Sequence, residues 1–171
     1  MAAQRRPGRT DRASRLVAAA PDAIYRALVD PAALMAWLPP AGMRGRFLVF
    51  EPWEGGRYRI ALAYEDAAPP GGSGKSGART DVSAGRFLAL EPGRRVVQSA
   101  SFESDDPRFA GEMIVTWSLE PAAEGTRVTV TAENVPAGIA RADHDAGLRS
   151  SLANLACFVE PPATGDDAGR R

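Results

Sequence analysis

Between residues 44 and 133 apolar side chains recur at every second position, in one segment after another, and turn signals separate the segments. A period of two is that of a strand with one face buried, and short connections make successive strands antiparallel. The segments are 44–51, 57–64, 80–91, 95–103, 112–120 and 127–133. Gly55-Gly56, Pro92-Gly93, the stretch 104–108 and the stretch 122–125 supply the turns. Within 57–64, Tyr58, Ile60, Leu62 and Tyr64 alternate with Arg57, Arg59, Ala61 and Ala63. Within 112–120, Met113, Val115, Trp117 and Leu119 share one face. Residues 66–79 hold Pro69-Pro70-Gly71-Gly72 and read as a flexible loop.

Helical periods flank this run. Residues 15–18 form a short first strand, and Pro21 then opens a helix, with Asp22 at its positive end and Ile24 and Leu28 on one face. Asp30-Pro31 stops it. A second short helix, 32–38, carries Leu34, Trp37 and Leu38, and Pro39-Pro40 ends it. The last helix covers 143–160, where Leu148, Leu152, Leu155 and Val159 fall at i, i+4, i+7 and i+11. The fold class is therefore α+β, a meander of antiparallel strands with helices on one face. The tails 1–14 and 161–171 are polar and aperiodic and are expected to be disordered, leaving one domain over 15–160.

Charge and composition remove several functions. Lys and Arg total 21 and Asp and Glu total 21, so there is no net basic field to hold nucleic acid. The cluster Arg5, Arg6, Arg9 and Arg12 lies in the N-terminal stretch and reads as a solvated tail. The single cysteine, Cys157, permits no intrachain disulfide and reads as a small buried hydrophobe beside the leucine stripe. No apolar run approaches the roughly 18 residues of a membrane span, and no apolar stretch follows the N-terminal arginines, so a cytoplasmic location is expected.

The order of elements and several local words resemble a known superfamily. These words are Pro21-Asp22-Ala23-Ile24-Tyr25-Arg26-Ala27-Leu28-Val29-Asp30-Pro31, Trp37-Leu38-Pro39-Pro40, Glu54-Gly55-Gly56-Arg57-Tyr58-Arg59, Gly85-Arg86-Phe87 with Glu91-Pro92, and Gly125-Thr126-Arg127-Val128-Thr129-Val130. Together with the final helix they look like the START-like (SRPBCC) superfamily of polyketide cyclase-like and lipid-transport proteins. Within it they resemble the bacterial homologues of the activator of heat-shock-protein ATPase. The resemblance implies a helix-grip, birch-pollen-allergen-like fold: a curved antiparallel sheet wrapped around the C-terminal helix, with a cavity between them. It also implies several functions, among them ligand binding, cyclisation and action on a chaperone, so it does not choose one. Where many relatives carry Gly-Trp early in the last helix, this chain has Gly147-Leu148, which enlarges or reshapes the cavity. Gly147 fits close packing of the helix on the sheet, space for a ligand or a frayed helix end, and close packing is the preferred reading.

The expected function is binding of a small hydrophobic or aromatic molecule between sheet and C-terminal helix. On the strands the lining candidates are Tyr58, Ile60, Leu62, Phe87 and Phe102, with Met113, Val115 and Trp117 beside them. Leu148, Leu152 and Leu155 face them from the helix, and Trp37 is placed at the rim. The same residues equally describe a packed core. On the Phe87 strand Val82, Leu88 and Leu90 compete in the other phase. Arg59, Arg86 or Gln98 would orient a ligand if turned inward. One alternative is a cyclase or hydrolase using a tyrosine hydroxyl from Tyr58 or Tyr64. Another is a chaperone ATPase co-regulator, disfavoured because the chain lacks the separate chaperone-binding domain of the eukaryotic activators. A homodimer is compatible with an exposed edge strand.

Gly74-Lys75-Ser76 imitates the end of a phosphate loop, but Pro69 stands where the first glycine is needed and a strand follows. His144, the one histidine, lies between Asp143 and Asp145 and reads as a surface residue near a helix start. Ser150 and Ser151 sit roughly 9–10 Å along the same helix, beyond hydrogen-bond reach. One histidine and one cysteine do not build a zinc site, so no metal, cofactor or catalytic residue is expected.

Overall fold

The computed structural model describes residues 8–65 and 80–162. The expected loop 66–79, the phosphate-loop imitation within it, Arg5, Arg6 and the far C-terminal tail lie outside the described residues.

Seven strands form one sheet: β1 (Asp11–Val17), β2 (Met43–Phe50), β3 (Arg57–Tyr64), β4 (Thr80–Glu91), β5 (Arg95–Phe102), β6 (Met113–Ala122) and β7 (Gly125–Glu133). The spatial order is β1-β7-β6-β5-β4-β3-β2, and every pair is antiparallel. The meander runs from β2 to β7, and β1 closes onto β7. Helices α1 (Pro21–Val29), α2 (Pro31–Trp37) and α3 (Arg141–Val159) supply the other layer. The α+β meander is the one the period switch predicts, and the helix-grip architecture is the one the family resemblance implies. β1 begins four residues earlier than the expected tail boundary: Asp11 to Ser14 pair with Ala132 to Thr129. Arg9, expected in a solvated tail, pairs with Asp11 at 2.9 Å.

Local chemistry explains the joints. Asp30 ends α1 and caps α2, its Oδ1 accepting from the Ala33 N–H at 2.9 Å, while Pro31 occupies the first helical turn. Trp37 donates its indole N–H to the Ala27 carbonyl at 2.9 Å, which bolts α2 to α1. Its ring meets Trp117 edge-on, with centroids 5.7 Å apart. Leu152, Leu155 and Ala156 of α3 are fully buried against the sheet core, and Leu148 and Val159 pack at its margin. The end of α3 is tied to β1 by Glu160, which accepts from the Ala18 N–H at 3.0 Å.

Two register shifts bend the sheet. One falls between Phe47 and Val49, the other between Phe87 and Ala89. Each inserts one extra residue, Leu48 and Leu88, and both of these leucines are exposed. The bulge answers the phase question on β4. Phe87 faces the core before it and Leu90 packs toward the core after it, so both phases of the sequence pattern are used.

Candidate functional site

An apolar cavity of about 150 Å³ opens between α2 and the concave face of β2 to β6. Leu34 and Leu38 form its helical wall. Five aromatic rings line the sheet side, and Phe47, Phe50, Tyr58 and Phe87 are four of them. These four form a connected set, with centroids 4.5 Å apart for Phe47–Phe50 and 5.6 Å for both Phe50–Phe87 and Tyr58–Phe87. Ile60, Phe102, Met113 and Ala100 complete the apolar lining, and Ser83, Ser101 and Gln98 add the polar atoms.

Of the sheet residues expected here, Tyr58, Ile60, Phe87, Phe102 and Met113 do line the cavity. Leu62 and Val115 pack at the edge of the core instead. Trp117 is buried in the core, and Trp37, expected at the rim, is 3% exposed and engaged by its bond to Ala27. The helical wall differs most from expectation. Leu148, Leu152 and Leu155 do not reach the cavity, because α3 lies against the other half of the sheet, contacting β1 and β7. The cavity sits between the sheet and α2, not between the sheet and α3.

Phe47, Phe50, Leu34 and Leu38 line the cavity without having been among its expected lining residues. Phe47-Leu48-Val49-Phe50 is a continuous apolar run inside a strand that otherwise alternates, which is the mark of a bulge. Leu34 and Leu38 are four apart on a short helix. Gly45 lets β2 approach this helix closely: an added Cβ would stand 3.0 Å from Leu62, Met35 and Pro39 atoms.

The polar groups are mostly committed. The β4–β5 ladder is interrupted between the Ala84–Ser101 and Phe87–Gln98 pairs. There the Arg86 N–H donates to Ser99 Oγ at 3.1 Å, and the Ser99 carbonyl accepts from the Tyr58 hydroxyl at 2.5 Å. Tyr58 reaches that carbonyl across its cross-strand partner Gly85, where a side chain would collide with Ser99. Burial pushes the Tyr58 phenol well above its usual range, the Glu112 charge adds to this, and a hydrogen bond with Gln98 opposes it. The hydroxyl stays protonated and already has an acceptor. Of the candidates for orienting a ligand, only Gln98 lines the cavity. Arg59 is paired with Glu103 at 2.7 Å, and Arg86 donates to the Gly55 carbonyl at 2.9 Å. Tyr64 is not among the lining residues, and among the described residues the lining contains no carboxylate, imidazole or amine.

His144 is not the free surface residue the sequence suggests. Its Nδ1 lies 2.7 Å from Oδ2 of Asp11, a carboxylate with a side chain only 4% exposed. Arg9 and Arg141 flank the same carboxylate, at 2.9 and 3.3 Å. Burial opposes the Asp11 charge, but hydrogen bonds from His144 and Arg9 and the Arg9 charge outweigh it, and the pKa falls below the usual value. Cys157 is exposed, not buried. Gly147 has no atom within 4 Å of where a Cβ would stand, so close packing does not explain it. Among the described residues no cluster of three or more His, Cys, Asp or Glu is arranged to hold a metal, and no helix is long and apolar enough to cross a membrane.

A family model described as activator of Hsp90 ATPase homolog 1-like protein matches residues 18–160. A crystal structure of a Chromobacterium violaceum protein is 32% identical and has a TM-score of 0.77, covering 89% of this chain and 97% of that one. A Rhodobacter sphaeroides protein is 26% identical with a TM-score of 0.71, covering 89% and 93%. An AHSA1-like protein from Aeromonas hydrophila, at 18% identity and a TM-score of 0.66, covers 88% of this chain and 92% of its own and shares the fold. A search of curated proteins gives no match.

Proposed function

The chain belongs to the activator of Hsp90 ATPase homolog 1-like family, and from that premise we propose that it binds a small, single-ring aromatic molecule in the cavity between α2 and the sheet. The observation that carries this reading is the connected wall of Phe47, Phe50, Tyr58 and Phe87 around about 150 Å³. A largely apolar cavity of that size has room for one benzene-sized ring. Aromatic walls favour an aromatic guest, because edge-to-face and offset contacts add to area burial.

The magnitude follows from surface. One ring buries about 150–200 Å² of apolar area, worth about 4–5 kcal/mol at ~25 cal/mol per Å², so Kd is on the order of 0.1–1 mM. Gln98 is the side chain suited to orient a polar substituent. Among the described residues the lining offers no group to move a proton at physiological pH, since the Tyr58 hydroxyl is held protonated and donated to Ser99. The residues named therefore hold a ligand rather than act on it.

A thermal-shift series of toluene, phenol and indole against naphthalene and a C12 alcohol tests this reading. The single-ring compounds are expected to raise Tm, and the larger ones less so. No rise with any single-ring compound at millimolar concentration would remove the proposal. The same protein purified from its own host and analysed by native mass spectrometry would show whether an aromatic molecule accompanies it.

A further inference from the structure

We propose that Phe102 gates a passage from this inner cavity into an outer chamber against α3, and that the two together take an elongated ligand with an aromatic ring inside and a neutral hydroxyl at His144. The proposal rests on the single-ring reading above and extends it.

Phe102 lines both spaces. The outer chamber has a volume of about 340 Å³ and lies between Phe109 and Ile139 on one side and His144 and Gly147 on the other. The Phe102 ring meets Phe109 edge-on, with centroids 6.3 Å apart and planes at 73°. Phe102 is only half-buried, so a rotamer change in one side chain joins the two spaces without moving the backbone.

Gly147 gives the second support. A glycine inside a helix costs stability relative to alanine, and no positive φ or close backbone approach requires one here. What it leaves is open space at the chamber wall.

His144 gives the chemistry. The ionised Asp11 carboxylate only accepts hydrogen bonds, so it holds the proton on Nδ1. That leaves Nε2 as the ring's other hydrogen-bonding atom, and a hydroxyl, which can both donate and accept, suits it. Asp143 also borders the chamber, and its carboxylate disfavours an anionic end group.

Isothermal titration with toluene, 4-phenylphenol and biphenyl-4-carboxylate tests the gate, on the wild type, Gly147→Ala, Gly147→Leu and Phe102→Ala. The wild type is expected to bind 4-phenylphenol about tenfold or more tighter than either other probe. Gly147→Leu should bring 4-phenylphenol down to the affinity of toluene and leave toluene unchanged. Gly147→Ala, which adds only a methyl group, controls for the helix and should retain the preference. Phe102→Ala should speed binding of 4-phenylphenol. The proposal is overturned if Gly147→Leu leaves 4-phenylphenol binding intact or weakens both probes equally, or if the carboxylate binds best. If toluene does not bind the wild type, the inner-cavity reading falls and takes this one with it. Toluene binding alongside 4-phenylphenol binding that ignores Gly147→Leu defeats the gate alone.

Discussion

At the scale of single residues, Tyr58 and Asp11 show how buried polar groups are kept in this fold. Tyr58 lies in an aromatic wall yet spends its hydroxyl on the backbone, satisfying a Ser99 carbonyl that the interrupted β4–β5 ladder leaves open. Tyr58→Phe keeps the ring and orphans that carbonyl. The expected cost is about 1–3 kcal/mol in urea unfolding, with toluene affinity unchanged. A loss of toluene binding in the folded variant would instead make the hydroxyl part of the ligand site. Asp11 works through its charge. Its pKa is lowered in the folded chain, so the stability it contributes is present above the ordinary value of 3.8 and is lost as pH falls through the lower folded value. Asp11→Asn should cost about 1–3 kcal/mol near pH 6, and the gap to wild type should close as pH drops below about 4. Unfolding curves between pH 6 and 2.5 decide this; a gap that stays constant with pH rules out the charge as its source.

At the scale of elements, the bulges and the glycine bend shape the cavity. Gly85 is the position where β4 is crossed by the Tyr58 ring, and a side chain there collides with the Ser99 carbonyl. Gly85→Ala is therefore expected to destabilise the fold by several kcal/mol, more than a typical exposed strand substitution, as read by the midpoint of chemical unfolding. An unchanged midpoint would mean that β4 and β5 separate at little cost. These features also mark where the sequence was readable. The strands, the two proline-bounded helices and the leucine-striped α3 follow from period and punctuation alone, because each period corresponds to one buried face. The inward faces of β3 and β6 followed for the same reason. The bulges at Leu48 and Leu88 did not, since one inserted residue reverses the pattern and looks like noise in a short strand. Phe47 and Phe50 were missed on that account. Trp37 was assigned to the rim because nothing local announces a bond from its indole to Ala27, and the Asp11–His144 pair joins residues far apart in the chain.

At the scale of the whole molecule, the fold divides its apolar surface between two tasks. The half of the sheet formed by β1, β7 and β6 is sealed by α1 and α3, with Trp117, Leu152 and Leu155 closely packed. Over the half formed by β2 to β5, short α2 covers β2 and α1 reaches β5 among the described residues, and there the side chains do not fill the space. A charge placed at Trp117 or Leu152 is accordingly expected to unfold the chain rather than to blind a ligand site. This division also distinguishes a cavity that holds a guest from a packing defect spread through the core. The most direct test is methyl NMR of the isotopically labelled protein during titration with toluene. The methyl groups of Leu34, Leu38, Ile60 and Met113 are predicted to shift together along one saturable curve, while those of Leu152 and Leu155 stay still. Shifts centred on Leu152 and Leu155, or no saturable shift at all, would contradict the assignment of the ligand cavity to the space beneath α2.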